Sequence, residues 1–359
     1  MPRDEPGRFD DLFSEADAER LVCSGALRYP AFRLVKEDSK LAVRDYTTDL
    51  SWRPAPFTGT ADVRRVTAEF EAGATIVFQA LHHSRPPVAE LCRALETELG
   101  HPVQANAYWT PRDSQGLAVH HDTHDVFVLQ VAGEKRWVVY EPVLELPLRN
   151  QRYTKALGEP GEPVLDLTLR AGDMLYLPRG WLHEALTSSS DSLHVTVGVN
   201  VISWLEAVRA ALDDCADDVE FRRSVPEDGE AQADLLTALA ERLAPPEVAR
   251  RKRAKLVSKR RPILDGQISE LRALDELTAE TVLERRPALL ADVDGTTLSF
   301  EGRDVAFTED VGEELEWLLA VDGPFRAADL PGGLDDKGRL ALVNRLIREG
   351  FLRRSAAGG

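Results

Sequence analysis

The sequence predicts a mainly β protein with added helices: a β-rich core of sandwich or barrel type, then a helical stretch, then a small winged helix. Three observations carry this. Between His101 and Val201 the chain reads as short strands with period-two alternation, punctuated by Gly, Pro, Asp and Ser. From Trp204 the apolar residues fall on helical stripes. From about Leu298 a strand pair, helices and a closing strand follow one another, the order of a winged helix. The boundaries expected are 1–203 for the core with its N-terminal α/β elaboration, 204–296 for the helical part and 297–359 for the last.

Taken in order, FDDLFSEADAERLV is a short helix entered through Ser14, with acidic residues in its first turn. ALRYPAFRLVKED holds a strand, and 62–72 is a charged helix. ATIVFQAL is β-branched and apolar, a buried strand. PPVAELCRALETELG opens on proline and stops at Gly100, as helices do. VQANAYWT, VFVLQVAG, KRWVVYEP, VLDLTLRAGDMLYLP and SLHVTVGVNV are the core strands. WLEAVRAALDDCADDVEFRRS and EAQADLLTALAERLA are helices joined by the loop SVPEDGE. LSFEGRDVAFTED is a strand pair. GEELEWLLAVDG, FRAADLP and DDKGRLALVNRLIREG are helices, GFLRRS is a strand, and SAAGG is a disordered tail.

The chain has 359 residues, enough for two or three domains. It carries 61 acidic residues against 44 basic ones, a formal net charge of -17. Such a field argues against bare nucleic acid and suits a Lys/Arg-rich protein partner. The run ARRKRAKLVSKRRP is the exception, a solvated or intersubunit helix face on one reading and a contact for RNA or an acidic surface on the other. Acidic residues at 309, 310, 313, 314 and 316 argue against a phosphate-facing winged helix and favour a protein contact. Cys23, Cys92 and Cys215 lack metal or redox spacing and read as reduced thiols. No apolar run is long enough for a membrane span, and no signal core opens the chain, so the cytoplasm is the expected compartment.

The chemistry gathers in QGLAVHHDTHDVFVLQVAGEKRWVVYEP. In an alternating run, His120 and Asp122 project to the same side and can share one metal. His183, in GDMLYLPRGWLHEA, supplies the third ligand. Two imidazoles and a carboxylate leave adjacent positions open, the pattern of a non-haem Fe(II) oxygenase, and a jelly roll lets facing strands aim all three at one mouth. His121 points to the opposite face. His124 shares the ligand face farther along and is expected beside the metal or toward substrate. Lys135 can reach inward to the distal carboxylate of 2-oxoglutarate, or stand exposed in a turn. Asn106 and Tyr108 line the cavity or simply pack. His194 faces inward or is a core histidine. His82 and His83 read as surface or turn residues.

NAYWTPRDSQGLAVHHDTHDVFVLQVAGEKRW, with AGDMLYLPRGWLHEA and SLHVTVGV, resembles the JmjC/cupin-type ribosomal oxygenases, Fe(II)- and 2-oxoglutarate-dependent protein hydroxylases. The resemblance implies a double-stranded β-helix, a helical dimerisation domain, hence a homodimer, and a C-terminal winged helix. It also implies His120, Asp122 and His183 as metal ligands and Lys135 as the co-substrate anchor. A basic ribosomal protein, hydroxylated on histidine or arginine, is the implied substrate. His121 and His124 depart from the family pattern. Rival readings are a peptide or small-molecule hydroxylase on the same scaffold, a demethylase, or a non-catalytic cupin acting through its winged helix.

Overall fold

A computed structural model gives the architecture and describes residue 5 and residues 7–24, 27–36, 41–51, 53–187, 189–225 and 233–355. The chain divides into two compact units, Met1–Glu96 with Val103–Val201, and Thr97–Pro102 with Ile202–Gly359.

The first unit opens with α1 (Glu15–Cys23), where the Ser14 hydroxyl accepts from the Asp17 N–H and the Asp17 carboxylate accepts from the Ser14 N–H. β1 (Phe32–Val35), α2 (Val43–Tyr46), the hairpin β2 (Thr47–Leu50) and β3 (Phe57–Ala61), α3 (Val63–Glu71) and the wholly buried β4 (Thr75–Phe78) follow. α4 (Pro86–Leu99) ends at Gly100. The core strands are β5 (Val103–Thr110), β6 (Asp125–Tyr140), β7 (Pro163–Arg170), β8 (Met174–Leu177), β9 (Leu182–Leu186) and β10 (Ser192–Val199). Their order is β1-β4-β5-β10-β6-β7, with β8 and β9 also paired to β6. Every pairing is antiparallel.

β6 corrects the expectation of two strands, VFVLQVAG and KRWVVYEP. They are one strand of 16 residues. Its first half, through Gly133, pairs with β10 and β8, and its second half with β7 and β9. Gly133 is the corner, not a turn. It sits at φ +64, and a Cβ there would collide with the Asp191 carbonyl. One strand crossing between two sheets wraps the chain into a jelly roll. Phe13, Phe32, Phe78, Leu81, Leu193 and Val195 pack its helical side, while Val126, Val128, Trp137, Val139, Leu169 and Leu177 fill the interior.

The second unit holds α5 (Trp204–Asp214), α6 (Ala233–Arg242), α7 (Pro245–Lys259) and α8 (Gln267–Arg272). Then come β11 (Val282–Arg285), β12 (Ala291–Asp294), β13 (Thr297–Phe300), β14 (Arg303–Ala306), α9 (Gly312–Ala320), β15 (Phe325–Arg326), α10 (Asp336–Glu349) and β16 (Leu352–Arg354). Two three-stranded sheets, β15-β11-β16 and β12-β13-β14, close around Leu283, Leu298, Leu315, Val343 and Phe351. The boundary expected at 296/297 falls inside the β12–β13 hairpin, and this core reaches back to Leu274. FRAADLP is β15 and a 3-10 turn (Ala327–Asp329), not a helix; Pro331 stands two residues past the turn. The tail SAAGG after Ser355 and most of the loop SVPEDGE lie outside the described residues.

The basic run forms α7, and its charges are met within this unit. Arg251 pairs with Asp214 at 2.6 Å, Arg253 with Asp292, and Lys255 with Glu206 at 3.7 Å. The three cysteines are free thiols. No helix among the described residues is long and apolar enough to cross a membrane.

Candidate metal centre

His120 and Asp122 do not lie on a regular strand, as the alternation suggested. They sit just before β6, where His120 makes an isolated antiparallel bridge with His183 on β9. The His120 N–H donates to the His183 carbonyl at 3.1 Å, and the reverse bond is 2.8 Å. The Gly180 N–H donates to the Asp122 carbonyl at 3.0 Å. Two backbone segments are thus stitched together at the ligands themselves.

One donor atom from each of His120, Asp122 and His183 lies within 4.8 Å of the others. Bonds of about 2.0–2.2 Å to one ion hold three ligands about 3 Å apart, so a small inward movement completes the site. The imidazoles are set for it. His120 Nδ1 lies 2.8 Å from the Ala118 carbonyl and His183 Nδ1 lies 3.1 Å from that of Trp181. A carbonyl only accepts, so both Nδ1 atoms carry the proton and both Nε2 lone pairs face the centre. His183 is held neutral as well. Burial, then the neighbouring His120, lowers its pKa to about 4, against the pull of Asp122. The donor set therefore fits a divalent metal.

The triad opens into a cavity of about 510 Å³ that also takes in Lys135, Tyr108, His124, His194 and His121. Lys135 is 5% exposed and its Nζ donates to the Thr110 hydroxyl at 2.9 Å. No carboxylate among the described residues is within reach, and burial lowers its pKa to about 7. Its neighbour Arg136 points outward to Asp166 at 2.7 Å, as strand alternation requires. Tyr108 stacks on His194, centroids 5.1 Å apart and planes 5° apart, which places His194 inward. Burial, then Asp122, raises the Tyr108 pKa. Burial, then Lys135, holds His194 well below its usual value.

Asn106 is not a cavity wall. Its Oδ1 accepts from the Ala80 N–H at 2.9 Å, and its side chain also meets Tyr108. His121 cannot use Nε2 as a ligand, because that nitrogen donates to the Gln151 carbonyl at 2.9 Å. His124 lines the cavity but stands outside the triad. His82 is structural: its Nδ1 accepts from the Ala105 N–H at 3.1 Å. Sequence reasoning missed Thr110, Trp137, Arg33, Arg152 and Tyr153, all around the cavity or its lysine. Thr110 and Trp137 each lie two residues beyond a residue singled out, on the same strand face, so the signal was there. Arg33 and Arg152 come from distant segments and carried none.

The JmjC domain profile matches residues 80–207, a span that contains every one of the proposed ligands. Ribosomal oxygenase 1 of Gallus gallus is 31% identical over 255 residues, covering 66% of this chain and 40% of that protein. The bifunctional lysine-specific demethylase and histidyl-hydroxylase NO66 of Drosophila persimilis is 41% identical over 133 residues, covering 37% of this chain and 19% of that protein. Residues 80–207 carry a JmjC domain, and the chain is similar to the JmjC/cupin-type ribosomal oxygenases. It spans less than half the length of these curated relatives. Among solved structures, the Escherichia coli ribosomal oxygenase YcfD shares the fold, with TM-score 0.56 and 19% identity over 96% of this chain and 91% of that one. A second YcfD structure, in complex with cobalt and 2-oxoglutarate, gives TM-score 0.56, with 95% and 90% covered. Fe(II) and 2-oxoglutarate are the cofactors of this family of oxygenases, and the His-Asp-His set is present to take the metal.

Proposed function

We propose that this protein hydroxylates a histidine side chain of a basic ribosomal protein, as an Fe(II)- and 2-oxoglutarate-dependent oxygenase. The observation that carries the reading is a pre-oriented His120–Asp122–His183 triad with a buried lysine, bonded to the Thr110 hydroxyl, in the same cavity. Fe(II) with 2-oxoglutarate, when bound, supplies the oxidation of a C–H bond by dioxygen. The chain's own residues do the rest. His120, Asp122 and His183 hold the metal and leave one side open. Lys135 meets the far carboxylate of the co-substrate and takes its full charge there. Val126, Val128, Leu177 and Ala185 keep the surroundings dry.

Histidine is favoured over arginine or a methylated lysine by the charges around the mouth. Arg33 and Arg152 line the cavity, and Asp122, committed to the metal, is its one carboxylate. A cationic side chain would meet like charge there; a neutral imidazole would not. One relative is named both a histidyl-hydroxylase and a lysine-specific demethylase, so its name admits histidine without deciding between the two. The overall acidity favours a basic partner.

The same reading makes α5 and α6 part of a homodimerisation domain and the last part a winged helix that contacts protein. Trp204, 69% exposed, and Leu212 fall on one face of α5, and Leu236 stands exposed on α6. A second copy of this chain would cover them. The protein would work in the cytoplasm, where ribosomal proteins are made. The test has two arms. Purified protein with Fe(II) and 2-oxoglutarate should form succinate, and His120→Ala should not. Ribosomal proteins from a strain lacking the gene should lose the mass of one oxygen atom on one histidine; an unchanged spectrum would remove the ribosomal substrate.

A further inference from the structure

The segment between β6 and β7, residues 141–162, brings Arg152 and Tyr153 to the cavity beside His120 and Asp122. Its seat is the residue between the two ligands. His121 is 5% exposed, its Nε2–H donates to the Gln151 carbonyl, and its ring meets Tyr153 edge-on at 5.9 Å. Around that bond the loop is closed on itself. The Gln151 N–H donates to the Leu148 carbonyl at 2.8 Å, and Gln151 Oε1 accepts from the Leu148 N–H at 2.8 Å. The Tyr153 hydroxyl donates to the Gly158 carbonyl at 3.0 Å.

A second seat lies on the other ligand segment. Gly180, in the turn before His183, has φ +91, and a Cβ there would stand 2.7 Å from the Leu144 carbonyl oxygen and 2.8 Å from Pro147 Cδ. The same glycine donates its N–H to the Asp122 carbonyl. The loop therefore rests on both backbone segments that carry the metal ligands.

We infer that His121 is a positioning residue: it fastens the 141–162 loop to the ligand segment, so that Arg152 and Tyr153 form the substrate-facing wall and set which side chain enters. This rests on reading the cavity as an oxygenase site. The histidine between the two ligands is thus a fastening for substrate recognition and not a spare ligand. Its Nε2 is taken up by the Gln151 carbonyl and is not offered to the metal.

The test uses the full chain loaded with Mn(II) and 2-oxoglutarate. His121→Phe keeps a ring against Tyr153 but has no N–H, and His121→Gln keeps an N–H donor without the ring. Trypsin reads the loop directly through Arg149, Arg152 and Lys155. The expected result is cleavage in H121F about tenfold faster than in the parent, in line with loss of one buried hydrogen bond, and near-parental protection in H121Q. Mn(II) affinity should stay within about threefold in both, since no ligand is lost. With Fe(II) in place of Mn(II) and a ribosomal substrate, KM should rise about tenfold in H121F while kcat holds within about twofold. Unchanged cleavage in H121F would overturn the inference. So would a fall in Mn(II) affinity that tracks the cleavage, because His121 would then serve the ligand set. If the parent forms no succinate, the oxygenase reading fails by itself, while the protection pattern still decides the role of His121.

Discussion

His120 and His183 exchange two backbone hydrogen bonds, 3.1 and 2.8 Å, across an isolated bridge between β9 and the segment before β6. The two imidazoles lie 4.4 Å apart by ring centroid. The metal site is thus fixed by main-chain pairing before any metal arrives. Replacing either ring should remove a ligand and leave the fold standing. We expect His183→Ala and His120→Ala each to lower Mn(II) affinity by more than ~100-fold, beyond the loss seen when only a ligand's supporting partner is removed. The melting temperature of the metal-free protein should change little. Titration calorimetry with Mn(II) and a thermal melt check both; a folded variant that still binds tightly would unseat the triad.

Lys135 offers a test in pH. Burial lowers its pKa to about 7, far below that of a free lysine. Below pH about 7 the ammonium is already present, and binding of 2-oxoglutarate should not depend on it. Above pH about 7 the empty site holds a neutral amine, and the arriving carboxylate must draw in a proton. The affinity should then fall about tenfold per pH unit until the pKa of the bound form is reached. The stability of the empty protein runs the other way. The unfolded chain keeps its proton up to a pKa of about 10.4, so burial of the lysine destabilises fully below pH about 7 and is relieved as pH rises through that window. Calorimetric titrations in two buffers of different ionisation enthalpy count the proton taken up. Lys135→Met should abolish both trends, and His194, held neutral beside it, should contribute to neither.

How far the sequence was legible is best seen at β6. Its alternation was plain, because a period of two is local, but it left Lys135 open between an inward position and an exposed turn until the resemblance singled it out. What alternation could not show is that the strand continues through Gly133, since a glycine between two strand patterns also marks a turn. The close approach that demands glycine comes from Asp191, far along the chain. The same limit hid Arg33 and Arg152, whose place in the cavity is a matter of tertiary folding. It also misled at Asn106, which shares a strand face with Tyr108 but is drawn to the Ala80 N–H. Gly133→Ala should therefore destabilise the protein by more than about 2 kcal/mol, because backbone and not a side chain must move. Chemical unfolding followed by fluorescence measures this, and a near-neutral result would mean that the corner can relax.

The exposed stripe on α5 gives a test of assembly. Trp204 and Leu212 are eight residues apart, on one helix face, and exposed to 69% and 48%. A large aromatic side chain covered by a partner contributes on the order of 2 kcal/mol or more. Trp204→Asp should shift the protein from dimer toward monomer at micromolar concentration while the metal site keeps its affinity. Sedimentation velocity of parent and variant decides this. A parent that is monomeric at every concentration would leave the stripe for a different partner.

Arg33 tests the choice between target side chains. Its Nε is anchored to Gln79 Oε1 at 2.8 Å, which fixes the guanidinium at the cavity wall near Tyr108. Two like charges ~8 Å apart at an effective dielectric of ~20 repel by ~2 kcal/mol, a factor of ~30 in binding. Arg33→Glu turns that repulsion into attraction. A peptide carrying arginine at the target position should gain at least ~30-fold in affinity for the Mn(II)-loaded variant, while the matching histidine peptide changes by less than about threefold. Fluorescence anisotropy on the two labelled peptides gives both numbers. Equal responses would show that the wall does not sort by charge, and the preference for histidine would then have to come from shape.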